Sequence, residues 1–153
     1  MHIEEKILQL GLKLPAPPPQ GGVYKSVLVV DRLAYFSGHG PHKSDGTLYT
    51  GRVGADVDLE FGNQAARQTG LAILANMKKH LGSLDKVKRV VKCLGLVNCT
   101  PDFHDHPAVI DGFSDLCCQI FGEENGIGIR SAFGAASLPG NMTVEIEGIF
   151  EIK

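Results

Sequence analysis

Two charged residues near the C-terminus have the types and surroundings that could do chemistry. Arg130 lies in GIGIRSAFGAA, a run of small and apolar residues, and Glu145 follows fifteen positions later in VEIE. A guanidinium in such surroundings is costly to desolvate unless an anion meets it. Its planar fork would clamp a substrate carboxylate through two parallel hydrogen bonds, beside a glutamate able to direct water. The structural alternative is simpler: a cross-strand Arg130–Glu145 ion pair, or plain solvated charge.

Other candidates are weaker. Asp102–Pro107 reads DFHDHP, and His104 and His106 with Asp102 and Asp105 could ligate a metal. That site would need further ligands, and HGPH at 39–42 is the only other source, so loop solvation and a helix N-cap at Asp105 or His106 are the plainer reading. The four cysteines include no CxxC, which argues against a zinc knuckle or a dithiol redox site and for reduced, buried thiols. ENGIGIRSAFG precedes a strand rather than a helix and does not match a phosphate-binding glycine loop. No G-x-S-x-G nucleophile elbow occurs.

The elements that must position these residues follow from periodicity. Residues 1–14 carry a short helical pattern, and PAPPPQGG at 15–22 forms an extended connector. Residues 1–21 are thus an N-terminal extension and 22–153 the main domain. SVLVVD (26–31) and LAYFSG (33–38) read as a β-hairpin, and GHGPHKSDG (38–46) as turn. Ala66, Thr69, Ile73, Met77 and Leu81 recur at helical spacing and predict a helix over 59–81, stopped by Gly82. A valine-rich strand over 86–98, a helix over 107–121 and a strand from Ile129 come next. In the final run Met142, Val144, Ile146, Phe150 and Ile152 alternate with Thr143, Glu145, Glu147 and Glu151, the strongest strand signal in the chain. The order β-β-α-β-α-β-β predicts an α+β sandwich: a mixed β-sheet with two helices on one face. Apolar residues on both parities of 87–97 call for a cover on the other face, and a second copy of the chain would supply it.

Composition bounds the partners. With 153 residues, 43% hydrophobic, and 15 Lys+Arg against 17 Asp+Glu, the chain is an ordinary globule of net charge −2. That balance argues against a nucleic-acid footprint. No apolar run is long enough to span a membrane, and the acidic N-terminus makes a poor signal peptide, so a cytoplasmic location is expected.

From about Gly22 onward the sequence resembles the RidA (YjgF) family of reactive-intermediate deaminases, also labelled L-PSP endoribonucleases. GGVYKSV, LAYFSGHGP, NQAARQTGLAILANMKKHLGSLDKVKRVVKCLGLVN and IRSAFGAASLPGNMTVEIEGIFEI carry the resemblance. It implies a chorismate-mutase-like fold and a homotrimer with a central barrel and three clefts between subunits. It also implies hydrolysis of enamine or imine intermediates to 2-keto acids and ammonia, with no metal and no organic cofactor. By the same resemblance Arg130 binds the substrate carboxylate and Glu145 holds the attacking water, while Tyr24 and Ser37 line the cleft. Ala132 stands where the family has a cysteine that acts through its backbone carbonyl, and Asp111 stands at the family's helix asparagine. An acid at Asp111 would repel a substrate anion, which leaves open a non-catalytic binding module for small carboxylate metabolites such as 2-keto acids; the family label alone leaves open an endoribonuclease.

Overall fold

Local capping chemistry sets the two long helices. The computed structural model describes every residue, Met1–Lys153. Asp58 accepts a hydrogen bond from the Phe61 N–H at 2.9 Å and starts helix α2 (Leu59–Leu81), the second helix of the chain after α1 (Ile3–Gln9). Gly82, at φ 85°, ends α2 after a last turn holding Lys78 and Lys79, cations that suit the negative end of the helix dipole. Helix α3 (His106–Phe121) carries Pro107 in its first turn, where a missing N–H costs nothing. A short α4 (Glu123–Gly126) follows.

Strands β1 (Val27–Val30), β2 (Leu33–His39), β3 (Val87–Asn98), β4 (Ile129–Ala135) and β5 (Val144–Ile152) form one sheet in the order β1-β2-β5-β3-β4. Every neighbouring pair is antiparallel except β3–β4, which α3 connects in parallel. The expected α+β sandwich is present, with α1 and α4 as additions. β2 continues through His39, one residue past the strand expected over 33–38, because the His39 side chain is buried rather than solvated. Thr143 precedes β5 and is buried, not on a polar face.

Phe36 of β2, Cys93 and Val97 of β3 and Val144, Ile146 and Phe150 of β5 point to the helices and are buried with Ile73, Met77, Ile110 and Phe113. The N-terminal helix belongs to this core. Ile7 is buried, and the Ile3 N–H donates to Asp85 at 2.8 Å while Glu4 accepts from the Leu84 N–H. The proline-rich connector then crosses to β1. On the other face Leu28, Val30, Tyr35, Ile129 and Phe133 are exposed. No helix is long and apolar enough to cross a membrane.

α2 and α3 meet at Gly112, where backbone touches backbone. A β-carbon there would lie 2.9 Å from the Asn63 carbonyl carbon and 3.1 Å from the Arg67 nitrogen. Neither atom can swing aside, so Gly112→Ala must part the helices. Overpacking of this kind costs about 3 kcal/mol. For a domain of this size that lowers Tm by about 6–12 °C, readable by thermal unfolding followed by circular dichroism.

Candidate active site

The register of the sheet decides how the chemical side chains group. Cys93 and Gly95 face the helices; their parallel partners on β4, Arg130 and Ala132, therefore face the same way. Leu96 pairs with Glu145 on the opposite parity, which puts Glu145 and Glu147 on the open face. Arg130 and Glu145 thus lie on opposite faces of the sheet. They are two strands and three residue rows apart, roughly 14 Å between backbones. The expected alternative of an Arg130–Glu145 ion pair is corrected: the partner of Arg130 is Asp111 on α3.

Glu145 gathers one set. It lines a cavity of about 530 Å³ with Tyr24, Ser37, Gly38, His42, Met142 and the connector residues Pro19 and Gly21. No hydrogen bond or ion pair engages its carboxylate. Burial pushes its pKa above the usual carboxylate value, and the neighbouring Glu147 adds to the rise. Gly38 makes room: a β-carbon at that position would sit 2.9 Å from the Glu145 Cδ, so only glycine lets the carboxylate lie over β2. Tyr24 Oη accepts from the Gly21 N–H at 3.0 Å, which ties the end of the connector to the cavity wall. Ser37 turns its hydroxyl inward and donates to the Lys25 carbonyl at 2.7 Å.

A β-bulge between Phe36 and His39 shapes this wall. His39 secures it, with Nδ1 bonded to the Ser37 carbonyl at 2.6 Å and Nε2 2.9 Å from the Asn76 side-chain amide on α2. Asn76 Nδ2 can only donate, so the imidazole is neutral with its proton on Nδ1. Sequence reasoning missed Gly38 and Asn76 and weighed His39 only as a possible metal ligand. The available signal was Asn76, a polar residue on the apolar stripe of α2, which needs a buried partner.

Burial lowers the His39 pKa against the raising effect of the Ser37 hydrogen bond, and the nearby His42 and His80 lower it further. The unfolded chain therefore binds a proton that the folded chain refuses between its depressed pKa and the ordinary 6.5. Stability is full above that window and falls as pH drops through it. His39→Gln should flatten the loss of urea-unfolding midpoint between pH 7.5 and 5.5; an unchanged slope would assign it to other groups.

The second set centres on Arg130. Its Nη1 forms an ion pair with Asp111 Oδ1 at 2.8 Å and donates a hydrogen bond to Ser114 Oγ at 3.1 Å. The Arg130 side chain is 27% exposed and that of Asp111 48%. Ala132 lies two residues along the same edge strand, partly buried against the core. Behind Arg130 the Cys93 thiol is pushed up to about 11 by burial, against a lowering from the guanidinium, so no thiolate nucleophile forms at neutral pH. His104 is exposed, while the His106 ring stacks edge-on against Phe103 with centroids 5.5 Å apart. No three His, Cys, Asp or Glu side chains converge into a metal-binding group. The six expected site residues therefore form two groups on one chain: Tyr24, Ser37 and Glu145, and Arg130, Ala132 and Asp111.

Residues 4–147 match the family described as "YjgF/chorismate mutase-like, putative endoribonuclease". Protein TCP17 of Trypanosoma cruzi is 37% identical over 152 residues, covering 99% of this chain and 95% of that protein. The crystal structure of Atu1372 from Agrobacterium tumefaciens, a protein of unknown function, superposes with a TM-score of 0.89 at 40% identity, covering 99% of this chain and 94% of the other. A "putative endoribonuclease" from Shewanella oneidensis superposes at 0.94 with 29% identity, covering 99% and 100%.

Proposed function

Because the chain belongs to the RidA/YjgF family, we propose that it hydrolyses reactive imines and their enamine tautomers to carbonyl compounds and ammonia, in a cleft between copies of itself. The observation that carries this reading is Glu145: a half-buried, unpartnered carboxylate of raised pKa facing a cavity, which is the condition of a general base. Glu145 takes a proton from a water as its oxygen bonds to the imine carbon. The imine nitrogen is protonated, the resulting carbinolamine collapses, and the C–N bond breaks to release ammonia and leave a C=O group. An enamine first gains a proton at its β-carbon to become the imine. Arg130 holds the acyl end of the substrate, and the Ala132 carbonyl accepts a hydrogen bond from the attacking water.

One small substrate cannot touch Arg130 and Glu145 of the same chain, because they lie on opposite faces of the sheet. A closed homotrimer supplies the missing half of each site from a neighbour and buries the exposed Leu28, Val30, Tyr35, Ile129 and Phe133. The test is ammonia release from 2-iminopropanoate and from its carboxamide, 2-iminopropanamide, each formed in situ, with the oligomer measured by sedimentation. Release faster than in buffer from either substrate supports the reading, and a rate equal to buffer with both overturns it. The Asp111–Arg130 pair favours a second reading, capture of a small metabolite without turnover. Calorimetric binding without ammonia release would select it.

A further inference from the structure

We propose that Asp111 sets the substrate class of the Arg130 half-site, disfavouring free carboxylates and selecting imines that carry a neutral carboxamide head group. This rests on the hydrolytic reading and names its substrate. Arg130 Nη1 is ion-paired with Asp111 Oδ1 at 2.8 Å and donates a hydrogen bond to Ser114 Oγ at 3.1 Å. The Asp111 carboxylate therefore already occupies the place on Nη1 that a ligand carboxylate would take.

What remains is a donor beside an acceptor. Arg130 keeps its Nε–H and its Nη2 hydrogens, and Asp111 keeps Oδ2 on a side chain that is 48% exposed. A carboxamide matches this pair: its carbonyl accepts from Arg130 and its NH2 donates to Asp111. A carboxylate offers only acceptors, and its charge meets a like charge one residue away. The arginine's charge is meanwhile neutralised within its own chain. A lone guanidinium prefers an anion; this one, already paired, prefers a neutral group with both a donor and an acceptor.

Asp111→Asn removes the charge and turns the Oδ2 acceptor into a donor, while Ser114 still holds the fork. The probes are pyruvate and pyruvamide, read by ligand-observed NMR titration on the full chain in its native assembly. The wild type should bind pyruvamide at least tenfold more tightly than pyruvate, a difference of about 1.4 kcal/mol. Asp111→Asn should tighten pyruvate binding at least tenfold and weaken pyruvamide binding at least threefold, because the asparagine NH2 donates where Asp111 Oδ2 accepted. Pyruvate bound as well as pyruvamide by the wild type, or no gain in Asp111→Asn, would show that Asp111 only holds the arginine and would overturn the proposal. Arg130→Ala should lose both ligands; if it keeps them, they bind elsewhere and the proposal falls. The hydrolytic reading stands or falls separately, on ammonia release and its dependence on Glu145.

Discussion

Replacing Glu145 by glutamine lowers the rate of ammonia release from an imine by about 100- to 1,000-fold, within the range that a positioned general base supplies. Glutamine keeps the shape and can still hold a water, but it cannot take its proton. Stability should move the other way. The folded-state pKa of Glu145 lies above the ordinary 4.5, so the folded chain binds a proton that the unfolded chain has released. Folding is then penalised as pH rises through that window. Glu145→Gln removes the penalty, and its Tm at pH 7.5 should equal or exceed that of the wild type. A slower and no less stable variant marks a side chain kept for chemistry. An inactive variant that is also destabilised would mean that Glu145 holds the sheet together.

Arg130→Lys is the second large effect. Lysine preserves the charge but not the planar fork, and a single ammonium cannot hold Asp111 and Ser114 while presenting a second edge to a ligand. Removing one positioned donor of this kind costs about 2.7–4 kcal/mol of transition-state stabilisation, so kcat/KM toward imines should fall by about 100- to 1,000-fold. Arg130→Ala should do at least as much damage. Neither should unfold the protein, because a partly exposed ion pair contributes only about 0–1 kcal/mol. The Tm should drop by no more than about 4 °C. If Arg130→Ala remains active while losing much more stability than this, and lysine restores it, the pair with Asp111 is structural and the assignment fails.

Much of the architecture was legible from residues alone because its signals are local. Helix α2 spans the residues that its apolar spacing and the stop at Gly82 predict, and β5 follows the alternation around Val144, Ile146 and Phe150. Capping, turn conformation and the period of side-chain burial act over a few residues, so they survive being read in one dimension. The family resemblance also singled out Arg130, Glu145, Tyr24 and Ser37, since a guanidinium in apolar surroundings and a VEIE strand are visible as text.

The partners of those residues were decided only by the tertiary structure. Strand order and register put Arg130 and Glu145 on opposite faces, and no spacing of fifteen residues reveals that β3 runs between their strands. The pairing of Arg130 with Asp111 depends on where α3 crosses the sheet edge, and the His39–Asn76 bond joins residues 37 positions apart. Gly38 reads as turn chemistry, yet in the fold its missing β-carbon is what admits the Glu145 carboxylate. Side-chain type is a property of the chain; which charge faces which is set by packing between distant segments. Residue identity therefore determined which groups could react, and the register of the sheet determined which of them can meet.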